Sequence, residues 1–255
     1  MKVVIIGGVA GGATAAARLR RLDEHAEIVV LERSGYVSYA NCGLPYYVGG
    51  VIQNKKALTL QTPQSFKTRF NIDVRVHSEA VAIDRVKKEV RVRETESGRE
   101  YTERYDKLIL SPGARAVVPP VAGADDPRVF TLRTVEDTFR IAAYIAEKGA
   151  GRAVVIGGGF VGLEMAENLT ERGIGVTLCE GSPQVLPQTD ADMACFLHAR
   201  LRAAGIDLRL NAKVLGFAEE GDALTVRTEK GDVRADFALL AVGVAPDTAL
   251  AAAAG

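Results

Sequence analysis

A chain of 255 residues with 47% apolar content has enough material for two domains with proper cores. Its 32 basic residues balance 32 acidic ones, which excludes a basic stripe for nucleic acid and an acidic disordered tail. No apolar run is long enough to span a membrane, and three scattered cysteines exclude a disulfide framework or a zinc site, so a soluble cytoplasmic protein without a metal is expected.

In chain order, residues 3–6 read as a buried strand, Gly7-Gly8-Val9-Ala10-Gly11-Gly12 as a glycine turn, and the following stretch as a helix with an apolar stripe. A β-branched run at 28–31 ends in Glu32. Thr62-Pro63 has the form of an N-cap and first helical position, opening a helix to Phe70. Residues 74–110 read as several short strands with Ser97-Gly98 as a turn, and Pro112-Gly113 and Pro119-Pro120 break the pattern where one domain passes to the next. A helix follows over Val135–Lys148. Strand, glycine turn and helix then recur from Arg152 through Gly157-Gly158-Gly159-Phe160-Val161-Gly162, 150 residues on and without a gap. A second β-branched run at 176–178 leads to Glu180, and beyond it come a helix over 191–204 and strands near 206–210, 213–218, 223–228 and 237–242. The chain closes on an Ala-rich run with no evident final element.

One supersecondary unit is therefore used twice, which predicts an α/β fold of two Rossmann-like dinucleotide-binding domains, each with a small antiparallel β insertion. The expected boundaries are 1–115, returning near 243–255, and 116–242. A strand feeding a glycine turn into a helix offers unpaired backbone N–H groups to a pyrophosphate, and an acid about twenty positions on can accept hydrogen bonds from a ribose. Glu32 and Glu180 occupy that position in the two copies. The second copy is a complete G-x-G-x-x-G, whereas the first has Val9 at the middle glycine. Glu180 would repel a 2′-phosphate and Gly181 supplies no cation beside it, so NADH is favoured and NADPH is the alternative.

Between the copies, Tyr39-Ala40-Asn41-Cys42-Gly43-Leu44-Pro45 surrounds one thiol with small and apolar residues. A helix beginning near Ala40 would put Cys42 in its first turn, where the positive helix end favours a thiolate. A dithiol enzyme would need a second cysteine nearby, and position 47 is Tyr47. A thiol working alone must borrow its partner sulfur from the substrate or cycle through sulfenic acid. Cys179, at a strand end, and Cys195, on an amphipathic helix, are expected in the core.

At these residues the chain resembles the pyridine nucleotide-disulfide oxidoreductase family, in its coenzyme A-disulfide reductase and persulfide or polysulfide reductase branch. The likeness is carried by the first glycine loop with Ala13-Thr14, by the Cys42 segment, by Leu110-Ser111-Pro112-Gly113-Ala114, by Gly157 to Gly162, and by Ala241-Val242-Gly243-Val244-Ala245-Pro246. It implies FAD in the first unit, held by Gly7, Val9, Ala10, Gly11, Gly12, Glu32 and Arg33, with Val81 against the adenine and Ser111, Pro112 and Gly113 near the flavin. It implies a nicotinamide dinucleotide in the second, held by Gly157, Gly159, Phe160, Val161, Gly162 and Glu180, with Gly243 in the cofactor-binding set. Cys42 would be the redox-active residue, and Thr14, Arg18, Arg21, Ser38 and Asn41 would bind a coenzyme A-type thiol or disulfide. Phe70 stands where some relatives carry a lysine toward coenzyme A. Relatives continue into a Gly-Asp segment, a homodimerisation domain and in some cases a rhodanese domain, so this chain is expected to be a fragment of a homodimer. An NADH oxidase or peroxidase acting through a sulfenic acid, and a non-catalytic nucleotide-binding fragment, stand as alternatives.

Overall fold

The computed structural model describes residues 1–255. In chain order it runs β1 (Lys2–Ile6), α1 (Ala10–Leu22), β2 (Glu27–Leu31), α2 (Leu44–Val48), α3 (Pro63–Phe70), β3 (Asp73–Arg75), β4 (Ser78–Asp84), β5 (Glu89–Glu94), β6 (Glu100–Arg104), β7 (Lys107–Leu110) and β8 (Ala114–Ala116). It continues through β9 (Val129–Thr131), α4 (Val135–Lys148), β10 (Arg152–Ile156), α5 (Phe160–Glu171), β11 (Gly175–Cys179) and α6 (Ala191–Ala203). Last come β12 (Asp207–Arg209), β13 (Val214–Glu220), β14 (Ala223–Thr228), β15 (Val233–Ala235), β16 (Phe237–Leu240), β17 (Val244–Pro246) and α7 (Ala249–Ala254). The elements form two compact units, one of Met1–Ala40, Lys56–Arg115 and Pro246–Gly255, the other of Asn41–Lys55 and Ala116–Ala245.

The first unit is built on a parallel sheet in the order β3-β2-β1-β7. Its strands are continuous apolar runs because both faces are covered. Val3, Ile5, Ile28 and Val30 pack with Ala13, Ala16 and Phe66, from α1 and α3. The alternate residues Val4, Ile6, Val29 and Leu31 pack on Val90 and Val92 of the antiparallel β4-β5-β6 sheet. Burying each such side chain contributes about 1.5–3 kcal/mol. Helix α3 starts where expected, with Thr62 and Ser65 forming a reciprocal capping box, and stops at Asn71 in the left-handed conformation.

The second unit repeats the plan with one more strand, in the order β12-β11-β10-β16-β9, all parallel. Val154, Ile156, Ala238 and Leu240 face Phe217, Leu224 and Val226 of the antiparallel β13-β14-β15 sheet. On α5, Met165 and Leu169 are fully buried. Helix α4 spans Val135–Lys148 as expected, from a Thr134–Asp137 capping box to Gly149 in the left-handed region.

Several short elements lie outside the sequence expectations. Strands β8, β9, β15 and β17 have three residues each, too few to carry a period. The Ala-rich end is helix α7, whose Leu250 packs against the Val90–Val92 cluster, so the unit does have a closing element. Residues 41–55, expected with the first domain, pack instead with the second unit, because α2 lies on α4 and α5.

Candidate functional site

Each unit carries a cavity at the carboxyl end of its central strand. Parallel register aligns Ile6 with Leu31 and Leu110, and Ile156 with Cys179 and Leu240. The next residues, Gly7, Glu32 and Ser111 in one unit and Gly157, Glu180 and Ala241 in the other, therefore leave the sheets at one level. This is the position at which open α/β sheets bind ligands.

The two loops match atom by atom. Glu32 accepts from the Gly8 N–H at 2.8 Å and the Ser34 N–H at 2.9 Å. Glu180 accepts from the Gly158 N–H at 2.6 Å and the Ser182 N–H at 2.7 Å. The Gly8 carbonyl accepts from Ser38 N–H, and the Gly158 carbonyl from Leu186 N–H. Ser38 and Leu186 are both left-handed, at φ 45° and 46°. Gly7 (φ 94°) and Gly157 (φ 105°) have no room for a side chain, since a Cβ would lie 2.0 Å from the Ser111 carbonyl oxygen and 2.5 Å from that of Ala241. On Gly12 and Gly162 it would lie 1.8 and 1.9 Å from the carbonyl oxygens of Gly7 and Gly157, which holds each helix tight on its strand. At Gly159 nothing lies within 4 Å, so that glycine leaves backbone open to the cavity.

The first cavity, about 440 Å³, is lined by Gly7, Glu32, Arg33, Val81 and Pro112, and by Asp247 and Leu250. Glu32 is 7% exposed, and two backbone donors leave lone pairs of its carboxylate for a diol. Arg33 pairs with Asp247 at 3.0 Å. Gly11 lies beside Ser111, whose Oγ would be 3.1 Å from a Cβ there, and Val9 occupies the N-cap of α1 without a side-chain cap. Ala10 opens the helix, and Gly113, at φ 78°, ends the β7 loop. Buried carboxylate, glycine loop and cavity fit a dinucleotide.

The second cavity, about 900 Å³, is lined by Gly157, Gly159, Phe160, Val161, Glu180, Gly181 and Gly243 among others. Gly162 lies buried behind them in α5. Phe160 is 66% exposed, which suits a side chain that covers a ligand rather than one packed in the core. Lys213 and Gln188 also line this cavity and carried no recognisable motif. His198 was likewise unmarked in the sequence. Its Nε2 accepts from the Val185 N–H at 3.2 Å, and Val185 packs against Gly158, where a Cβ would come within 2.8 Å. Burial, with Arg202 nearby, holds the His198 imidazole below its usual range, which keeps Nε2 an acceptor.

Cys42 is exposed and lies in a single 3-10 turn, Asn41–Gly43, ahead of the five-residue α2. A helical segment does begin near Ala40: the 3-10 turn Asn41–Gly43 runs directly into α2 and carries Cys42 in its first turn, while the Ala40 N–H donates to the Leu58 carbonyl. The segment is held from its own unit. Arg133 Nη1 donates to Asn41 Oδ1 at 3.1 Å, Arg172 Nη1 donates to the Val48 carbonyl at 2.5 Å, and Tyr47 meets Phe139 edge-on at 5.2 Å. Asn168 of α5 lies against Gly49, where a Cβ would come within 2.7 Å of Oδ1. Of the other cysteines, Cys179 is buried as expected, and burial pushes its thiol up to about 11. Cys195 is exposed on α6, contrary to the core expectation, because Ala194 and Leu201 form the buried side of that helix.

The residues expected at a thiol substrate divide between the units. Thr14, Arg18 and Arg21 lie exposed along α1, and Ser38 follows β2 in the same unit, whereas Asn41 belongs to the second unit. Arg20, between them on the helix, is structural: its guanidinium donates to the carbonyls of Asp23, Glu24, Ala26, Phe70 and Asn71. Phe70 packs in the α1–α3 cluster. No helix is long and apolar enough to cross a membrane.

A family model described as pyridine nucleotide-disulphide oxidoreductase matches residues 1–255. Coenzyme A disulfide reductase of Staphylococcus haemolyticus (strain JCSC1435) is 37% identical over 243 residues, covering 95% of this chain and 53% of its own length. Among solved structures, reduced Bacillus anthracis CoADR-RHD matches with TM-score 0.96 and 48% identity over 100% of this chain and 46% of that one. The NAD-dependent persulfide reductase from A. fulgidus matches with TM-score 0.95 and 37% identity over 100% of this chain and 48% of its own. The chain spans about half the length of the relatives it matches.

Proposed function

The chain belongs to the pyridine nucleotide-disulphide oxidoreductase family, and we propose that it is the dinucleotide-binding part of an FAD-dependent NAD(P)H reductase of coenzyme A-type disulfides, persulfides or polysulfides that acts through Cys42. The observation that carries the reading is the exposed Cys42 thiol, held by Arg133 through Asn41 in a chain with two glycine-loop cavities. In this reading the first unit would hold FAD through Gly7, Gly11, Gly12, Glu32, Arg33, Val81 and Ser111 to Gly113. The second unit would hold the nicotinamide dinucleotide through Gly157, Gly159, Gly162 and Glu180, with Phe160, Val161 and Gly243 lining the same cavity. When bound, the flavin accepts hydride from the nicotinamide and supplies two electrons for sulfur chemistry.

The part played by the protein is to present one thiolate with no partner cysteine. Cys179 is buried in the core and Cys195 sits on α6. Attack of the Cys42 thiolate on a substrate disulfide breaks the S–S bond, leaves a mixed disulfide and expels one thiolate, which takes up a proton from solvent to become the first thiol. Two electrons and a proton then return Cys42 to the thiolate and release the second thiol, so one NAD(P)H and one proton are consumed for two thiols formed. Thr14, Arg18 and Arg21 offer an exposed hydroxyl and two cations along one helix for the phosphates of a coenzyme A-type substrate. The functional protein is a homodimer in this reading and works in the cytoplasm.

The test is steady-state reduction of coenzyme A disulfide by the whole protein and its Cys42→Ser variant. Loss of turnover with retention of the flavin spectrum is expected; disulfide reduction that survives the substitution overturns the assignment. Oxygen consumption that exceeds disulfide turnover would favour the oxidase or peroxidase reading. A colourless protein that takes up no added FAD would favour a non-catalytic one.

A further inference from the structure

We propose that Lys213 is a specificity-determining residue of the second cavity, and that it admits a dinucleotide bearing a 2′-phosphate as well as one without it. The inference rests on the reading of the second unit as a nicotinamide-dinucleotide site. Of the side chains lining that cavity, only Glu180 and Lys213 are charged. Both Glu180 oxygens already accept backbone N–H groups, from Gly158 at 2.6 Å and Ser182 at 2.7 Å, so its charge is fixed in place and partly compensated. The Ala212 N–H donates to the Glu180 carbonyl at 2.9 Å, which sets residue 213 beside the strand end that carries Glu180. The Lys213 ammonium makes no hydrogen bond or ion pair with the protein.

The first unit offers an internal comparison at the same positions. There the Ser78 N–H donates to the Glu32 carbonyl at 2.8 Å, and the next residue is Glu79, an acid already paired with Arg93 at 2.6 Å. Arg33, following Glu32, is paired with Asp247. The four other charged residues lining that cavity, Arg33, Glu79, Arg93 and Asp247, are thus engaged with one another, whereas position 213 carries the opposite sign to Glu79 and is free. Gly181, following Glu180, has nothing within 4 Å of where a Cβ would stand, so space for an added group lies next to the acid. A phosphate monoester carries about −1.5 to −2 charges at neutral pH. Glu180 alone repels it, and the free ammonium of Lys213, a residue lining the same cavity, offsets that repulsion. The preference for NADH inferred from Glu180 and Gly181 is therefore reduced by a residue 33 positions later in the chain.

The experiment is calorimetric titration of the 255-residue chain with NAD⁺ and NADP⁺, oxidised so that no hydride moves, with the first site saturated by FAD. Both are expected to bind. Lys213→Ala should weaken NADP⁺ about fivefold while NAD⁺ stays within about twofold, as for a single exposed ion pair. The NADP⁺-specific loss should shrink at 1 M salt, where charges are screened beyond about 3 Å, which a purely structural effect would not do. Equal weakening of both ligands, no effect on either, or binding of NAD⁺ alone by the unsubstituted chain would overturn the proposal and leave the dinucleotide reading standing. Failure of the unsubstituted chain to bind either ligand would overturn both.

Discussion

The glycines of the second unit differ in what a side chain would meet, and three of them span the range. At Gly157 a left-handed φ of 105° coincides with a clash, since a Cβ would stand only 2.5 Å from the Ala241 carbonyl oxygen. At Gly50 φ is 85° with open space around it, and at Gly151 there is neither a positive φ nor a neighbour. Substitution by alanine should follow that order. Gly157→Ala combines a left-handed penalty with overpacking, about 2–5 kcal/mol. Gly50→Ala costs the backbone penalty alone, about 1–2 kcal/mol. Gly151→Ala stays within about 0.5 kcal/mol. Urea unfolding midpoints of the three variants check the ranking, and equal midpoints for Gly157→Ala and Gly151→Ala would contradict it. The same Cβ argument explains why a motif of glycines was readable at all. The chemistry of the loop demands absence of a side chain, and absence is visible in sequence.

Helices α3 and α4 begin with the same device. Thr62 accepts from the Ser65 N–H at 3.2 Å, and Thr134 from the Asp137 N–H at 3.1 Å. Each receives a side-chain oxygen in return at its own backbone N–H. Loss of the hydroxyl leaves a helical donor without its partner, so Thr134→Ala should cost about 1 kcal/mol, with Thr134→Ser recovering most of it, as read from the urea midpoint. A Thr134→Ala variant as stable as the parent would mean that tertiary packing alone fixes that end. Both helices were legible in sequence because a cap and an apolar stripe are local signals. Helix α2 has five residues, and the contacts that hold it, from Asn168 and the C-cap Arg172 of α5 and from Phe139 of α4, come from distant parts of the chain that no local pattern reveals.

Across the first unit, a charge network ties the parallel sheet to the antiparallel one. Lys2 on β1 reaches Glu27 and Glu103 at 2.6 Å each, and Arg75 on β3 pairs with Asp73 and Glu103. Burial pushes the Glu103 carboxyl up, but hydrogen bonds from Lys2 and Arg75 outweigh burial and hold it below the usual carboxylate range. A carboxyl whose folded value is depressed contributes stability that is complete above its unfolded value of about 4.3. That stability is lost as the pH falls through the lower folded value. Acid unfolding should therefore steepen below about pH 4.3. Glu103→Gln should lower stability at pH 7 by about 1.5–3 kcal/mol and flatten that acid limb. Parallel pH profiles for the two proteins would show that Glu103 does not contribute to it.

Local pattern in the sequence carries the repeated unit, the capped helices and the pairing of each glycine loop with an acid, because all of these rest on periodicity, glycine spacing or local capping. The tertiary structure alone decided that the Cys42 segment packs with the second unit, that Cys195 faces outward and that Leu250 closes the first unit. It also decided that Lys213 shares a cavity with Glu180. Each of these depends on which residues far apart in the chain come into contact, and such contacts are fixed by register and packing rather than by any local pattern.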